Sequence, residues 1–125
     1  MDILYIEHID PVRDLFVTAL RQSGWQVQGA RCPDRARAVI AQHRLPRLMI
    51  VNLPTYSEGA AASAMALVAE ILERDPRLPV IYTVMTYEQV PAPLPEAQRV
   101  LRKPFDAARL VATVDHLMQA AYVAA

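Results

Sequence analysis

Four polar residues stand just after short strand-like runs, and their types set the chemistry open to this chain. Glu7 and His8 follow Ile3-Leu4-Tyr5-Ile6, Asn52 follows Leu48-Met49-Ile50-Val51, and Lys103 follows Arg99-Val100-Leu101-Arg102. Among 13 basic side chains Lys103 is the only lysine. Brought together, a carboxylate, an imidazole, an amide and an ammonium group would form a small polar plug. Lys103 would donate to Glu7 and Asn52, because a buried ammonium needs acceptors. The sharper alternative is a transition-metal centre on His8 and Glu7, but two ligands are too few to make one. Cys32 is the single cysteine. It has no disulfide partner, no CxxC or His-x-x-His pattern accompanies it, and it reads as an inert thiol near a loop.

The elements that must position these groups alternate along the chain. Ile3–Ile6 reads as a strand. Val12, Leu15, Phe16, Ala19 and Leu20 then recur at helical spacing up to Gly24. Trp25–Gln28 alternates like a half-buried strand, and Pro33-Asp34 opens a second helix carrying Ala36, Val39 and Ile40. Leu48–Val51 is continuously apolar, as a central parallel strand covered on both faces must be. Ser57-Glu58 starts a third helix that ends at Asp75-Pro76, and Pro79–Val84 is a fourth strand. Pro91, Pro93 and Pro95 follow; each lacks an N–H and clashes with the preceding turn, so no normal helix passes there. Arg99–Arg102 is a fifth strand, and Asp106 caps a last helix with Leu110, Val114, Leu117 and Met118 on its buried face. Strands alternating with helices give one parallel sheet between helical layers, with functional groups at the carboxyl ends of the strands.

In that order the pieces resemble the receiver domain of bacterial response regulators, over nearly the whole chain from Ile3 to about Met118. The acidic and polar residues after Ile3–Ile6, Pro46–Val51, Pro79-Val80-Ile81 and above all Lys103-Pro104-Phe105 carry the resemblance. It implies a flavodoxin-like (βα)5 doubly wound fold, five parallel strands in the order 2-1-3-4-5, as a single domain over residues 1–125. In an active receiver an aspartate ends the third strand and attacks a phosphoryl group. Two acids after the first strand help hold magnesium, and a hydroxyl after the fourth strand joins the lysine on the phosphoryl oxygens.

Against that pattern the site is degenerate. Asn52 stands at the nucleophile position, and a carboxamide forms no acyl phosphate. Glu7 keeps a carboxylate, but His8 replaces the second acid, and imidazole is a poor ligand for magnesium. The hydroxyl position aligns with Val84, because Thr83 is expected on the other side of the strand and Thr86 two residues beyond. The aromatic switch position aligns with Val100. The resemblance therefore implies a phosphorylation-independent receiver-like module, not an enzyme and with no cofactor or metal, acting by protein–protein interaction in a two-component-type pathway. Its expected interaction face comprises Val100, Arg102, Val111, Met118 and Tyr122, with a homodimer through the last helix as an option. The alternatives are a phosphate-accepting regulator with an altered site and a small-molecule-sensing flavodoxin-like domain.

Composition narrows the classes further. The 125 residues carry 13 Lys+Arg and 13 Asp+Glu, a formal net charge of zero, which argues against a nucleic-acid partner. Arg31, Arg35, Arg37, Arg44 and Arg47 cluster around the second helix and read as a solvated face. At 54% hydrophobic residues the chain is not disordered. No apolar run is long enough for a membrane span and nothing marks export, so a soluble cytoplasmic protein is expected.

Overall fold

Ile3–Ile6 is buried at every position and forms β1. Pro11 stands at the start of α1 (Asp10–Gln22), where a missing N–H costs nothing. Gly24, at φ +99°, makes the turn that a side chain would strain, and β2 (Val27–Ala30) follows. The computed structural model describes residues 1–90 and 93–124, apart from the side chains of Glu88 and of residues 122–124. Its remaining elements are α2 (Pro33–Gln42), β3 (Leu48–Asn52), α3 (Glu58–Arg74), β4 (Val80–Val84), β5 (Gln98–Arg102) and α4 (Ala107–Ala124).

The five strands form one parallel sheet in the order β2-β1-β3-β4-β5, the topology the resemblance implied. One face carries Leu4, Ile6, Met49, Val51 and Tyr82 against Ala36 and Ile40 of α2 and Leu67, Val68 and Ile71 of α3. The other carries Ile3, Tyr5, Ile50 and Ile81 against Phe16 and Leu20 of α1 and Leu110, Val114 and Leu117 of α4. Strand residues alternate between these two apolar layers, which is why β1, β3 and β4 read as unbroken hydrophobic runs.

One sequence expectation shifts and another holds. The second strand starts at Val27, not Trp25, because Trp25 N–H still bonds back to the Leu20 carbonyl and closes the turn after α1. Between β4 and β5 the described residues hold a short 3-10 turn, Tyr87–Gln89, in place of a fourth crossover helix. Val90 is buried there and Leu94 packs against the core, so loop side chains cover this end of the sheet. Pro91 lies outside the described residues. Among the described residues no helix is long and apolar enough to cross a membrane.

Candidate functional site

Parallel strands deliver the residues that follow them to one end of the sheet. Glu7 leaves β1 buried, and its position is set from below by Arg13 of α1. The Arg13 guanidinium donates to the Glu7 carbonyl oxygen at 2.8 Å and to Asp10 Oδ1 at 2.8 Å. Gly29 of β2 leaves room for this: a Cβ there would lie 3.1 Å from Arg13 Cδ. Lys103 enters from the end of β5, where its N–H bonds the Val84 carbonyl and its peptide bond to Pro104 is cis. Phe105 then packs on Phe16 of α1, ring centroids 4.8 Å apart.

The side chains converge on one cluster. Lys103 Nζ donates to Glu7 Oε1 at 2.8 Å, and Glu7 is only 1% exposed. His8 Nδ1 lies 3.2 Å from Glu7 Oε2 and 3.4 Å from Asn52 Nδ2. Thr83 donates its hydroxyl to Asn52 Oδ1 at 3.3 Å. Tyr56, after β3, sets its ring edge-on to His8 with centroids 5.0 Å apart. Glu7, His8, Asn52 and Tyr56 line a cleft of about 230 Å³ together with Arg31, Cys32, Asp34 and Ser63 near the starts of α2 and α3. The buried Tyr5 phenol lies behind the cluster. Loss of solvation, and secondarily the Glu7 carboxylate, push its pKa up.

Glu7, His8, Asn52 and Lys103 thus meet, as expected, but two details differ. Lys103 bonds Glu7, while the partners of Asn52 are Thr83 and His8. The hydroxyl in the site belongs to Thr83, and the Val84 side chain packs in the core with Leu53 and Val90. The cause is register. β3 and β4 pair Asn52 with Thr83, and in-register residues of neighbouring strands project to the same face. Gln89 and Tyr56 also went unread. Gln89 Oε1 accepts from the N–H groups of Met85 and Thr86 at 2.8 and 3.1 Å, and its Nε2 donates to the Leu53 carbonyl at 2.8 Å. The Thr86-x-x-Gln89 spacing is the available signal for that clamp. No spacing in the sequence signals the contact of Tyr56 with His8.

The expected interaction face is only partly presented. Arg102 is exposed, whereas Val100 and Val111 are partly buried against the two core clusters. Met118 is 4% exposed and belongs to the core, because it shares the buried stripe of α4 with Leu110 and Val114. The Tyr122 side chain lies outside the described residues. Exposed large apolar groups gather instead after the strands, at Ile9, Tyr56, Met85 and Tyr87, with Leu15 on α1.

The fold class raises magnesium as a ligand, and the donor set does not fit it. Magnesium wants several hard oxygens in octahedral array. Here Glu7 is committed to Lys103, and the side chains that meet it are an imidazole and, next to that, a carboxamide. Among the described residues no three His, Cys, Asp or Glu side chains gather where they could hold a metal ion.

The sequence matches no protein-family model, and no curated protein matches it. Solved structures do. NtrX from Brucella abortus superposes with a TM-score of 0.81 at 26% identity, over 98% of this chain and 27% of that one. The chain therefore spans about a quarter of that longer protein. The separately solved receiver domain of the same NtrX gives a TM-score of 0.72 at 24% identity, over 94% of this chain and 98% of that one. A response regulator receiver protein from Sinorhizobium medicae gives 0.81 at 19% identity, over 97% and 96% of the two chains. The structural neighbours of this chain are thus receiver domains of two-component response regulators, and it shares their fold.

Proposed function

We propose that this chain is a receiver-like signalling module that works without aspartyl phosphorylation, by binding a protein partner in a two-component-type pathway. The observation that supports this most is Asn52. It stands at the end of β3 with its amide oxygen bonded by Thr83 and its amide nitrogen at His8. A carboxamide held this way offers no charged oxygen for attack on phosphorus. Beside it, the Glu7 carboxylate is already engaged by the Lys103 ammonium. Binding, not turnover, is then the activity, with no cofactor and no nucleic-acid partner.

The test is incubation with acetyl phosphate and magnesium followed by intact-mass measurement. The mass stays unchanged on this reading, and a phosphoryl adduct overturns it. The cleft beside His8 favours one second reading, a small-molecule sensor. Thermal shifts against nucleotides and metal ions separate the two, because a true ligand raises Tm by mass action.

A further inference from the structure

Neither edge of the sheet is a bare row of backbone groups. β2 and β5 are its two outer strands. In a parallel pair, alternate residues turn both backbone groups toward the neighbouring strand, and the residues between them turn theirs outward. Ile3 N–H bonds the Gln26 carbonyl and Glu7 N–H the Ala30 carbonyl, so Val27 and Gly29 face away from β1. Val80 N–H bonds the Ala97 carbonyl and Lys103 N–H the Val84 carbonyl, so Gln98, Val100 and Arg102 face away from β4.

An arginine closes the first outward carbonyl of each strand. On β2 the Arg21 guanidinium, reaching over from the last turn of α1, donates to the Val27 carbonyl through Nη2 at 2.8 Å and Nε at 3.3 Å. On β5 Arg99 Nη1 donates to the Gln98 carbonyl at 2.8 Å and also to the Glu96 carbonyl. Gln98 N–H is taken up in turn by the Pro95 carbonyl at 3.0 Å. Charge-assisted bonds of this kind are stronger than neutral ones, and each fixes a positive charge on an edge. The outward positions left are Gly29 on β2, and Val100 beside the exposed Arg102 on β5. That is too short a row to seat an added strand, since strands in folded proteins run to about five residues.

Composition gives the reason such closure matters. The chain is 54% hydrophobic and carries no formal net charge, so general repulsion does not hold copies apart. Open strand edges in such a chain are templates for one another. We propose that Arg21 and Arg99 seal the two edges of the sheet against strand addition by a second copy of this chain. The proposal is independent of whether Asn52 accepts a phosphoryl group.

Sedimentation velocity of the full chain at neutral pH, over a range of concentrations, tests this with Arg21→Met, Arg99→Met, the double variant and Arg74→Met. Arg74 is exposed at the end of α3, so its loss makes the same change in net charge without opening an edge. Each edge variant is expected to self-associate at a concentration about tenfold lower than the wild type or Arg74→Met. One opened edge pairs with its own copy about a two-fold axis and closes, so the single variants stop at pairs. Two opened edges do not close, so the double variant builds longer assemblies. Circular dichroism checks that each variant keeps the native fold. Arg21→Gln and Arg99→Gln, which keep a polar side chain but bring no charge, decide the question where a Met variant unfolds. Edge variants that associate no more readily than Arg74→Met overturn the proposal, as do single variants that form the same large species as the double.

Discussion

Glu7 is buried to 1% exposure, and Lys103 is what makes that burial tolerable. Removing one partner of a buried ion pair leaves the other without compensation, so Lys103→Met should cost about 3 kcal/mol of stability. Glu7→Leu combined with Lys103→Met should cost much less than the two single changes added. Urea denaturation of the three variants checks both statements. The neighbouring pair Thr83 and Val84 makes a finer test. Thr83→Val leaves the buried Asn52 oxygen without its donor, a loss of about 1–2 kcal/mol. Val84→Thr buries a hydroxyl in the cluster around Leu53 and Val90, at a cost of about 1–3 kcal/mol. The two are separated by the Asn52 side-chain amide resonances, which move in the first and stay in place in the second. Residue identities made most of this site legible in advance: Glu7, His8, Asn52 and Lys103 each stand just after a strand-like run. Thr83 was misplaced because alternation within one strand says nothing about how that strand is registered against its neighbour, and the hydroxyl's target depends on that pairing.

Helix starts were the most readable elements, because capping is local chemistry. Ser57 Oγ accepts from Ala60 N–H at 2.9 Å and Asp106 Oδ1 from Arg109 N–H at 2.8 Å, both at positions read from the sequence. The loops were not readable, because their bonds join distant segments. Gln89 is the case in point, reaching Leu53 across 36 positions. Gln89→Leu should free three backbone groups at once. The expected outcome is faster hydrogen exchange at the Met85 and Thr86 amides with β3 and β4 amides unchanged, read by exchange mass spectrometry. Between α2 and α3, Arg37 makes paired hydrogen bonds of 2.9 Å to both oxygens of Glu70. That bonding holds the Glu70 carboxyl below its ordinary range. A depressed carboxylate contributes above its unfolded pKa, and the contribution is lost as pH falls through the folded one. Glu70→Gln should therefore flatten the acid limb of the stability profile while leaving neutral-pH structure unchanged, as followed by denaturation midpoints across pH.

At the scale of the whole molecule two apolar layers sandwich the sheet, and a tyrosine lies in each. Burial pushes the phenols of both Tyr5 and Tyr82 up. A raised phenol keeps its full contribution below the ordinary tyrosine range and loses it as pH rises beyond, when the unfolded chain ionises first. Of five tyrosines, these two should therefore ionise only as the protein unfolds in alkali. Ultraviolet absorbance of tyrosinate, compared with circular dichroism over the same titration, checks this, and Tyr5→Phe should remove part of the alkaline sensitivity. The overall architecture was legible because strand number and strand burial are written in the order of the apolar runs along the chain, and the strand order in the resemblance. The crossover between β4 and β5 was legible only as a prohibition: prolines forbid a helix there without saying what stands in its place.

That crossover also sets what the sheet has at its β4–β5 edge. A rigid rod laid across the sheet works as a lever, so that a push at one end is answered at the other. The short Tyr87–Gln89 turn, clamped by Gln89 and followed by Pro93 and Pro95, is a strap without leverage. What it leaves at this end of the sheet is a rim where Tyr56, Met85 and Tyr87 stand in solvent.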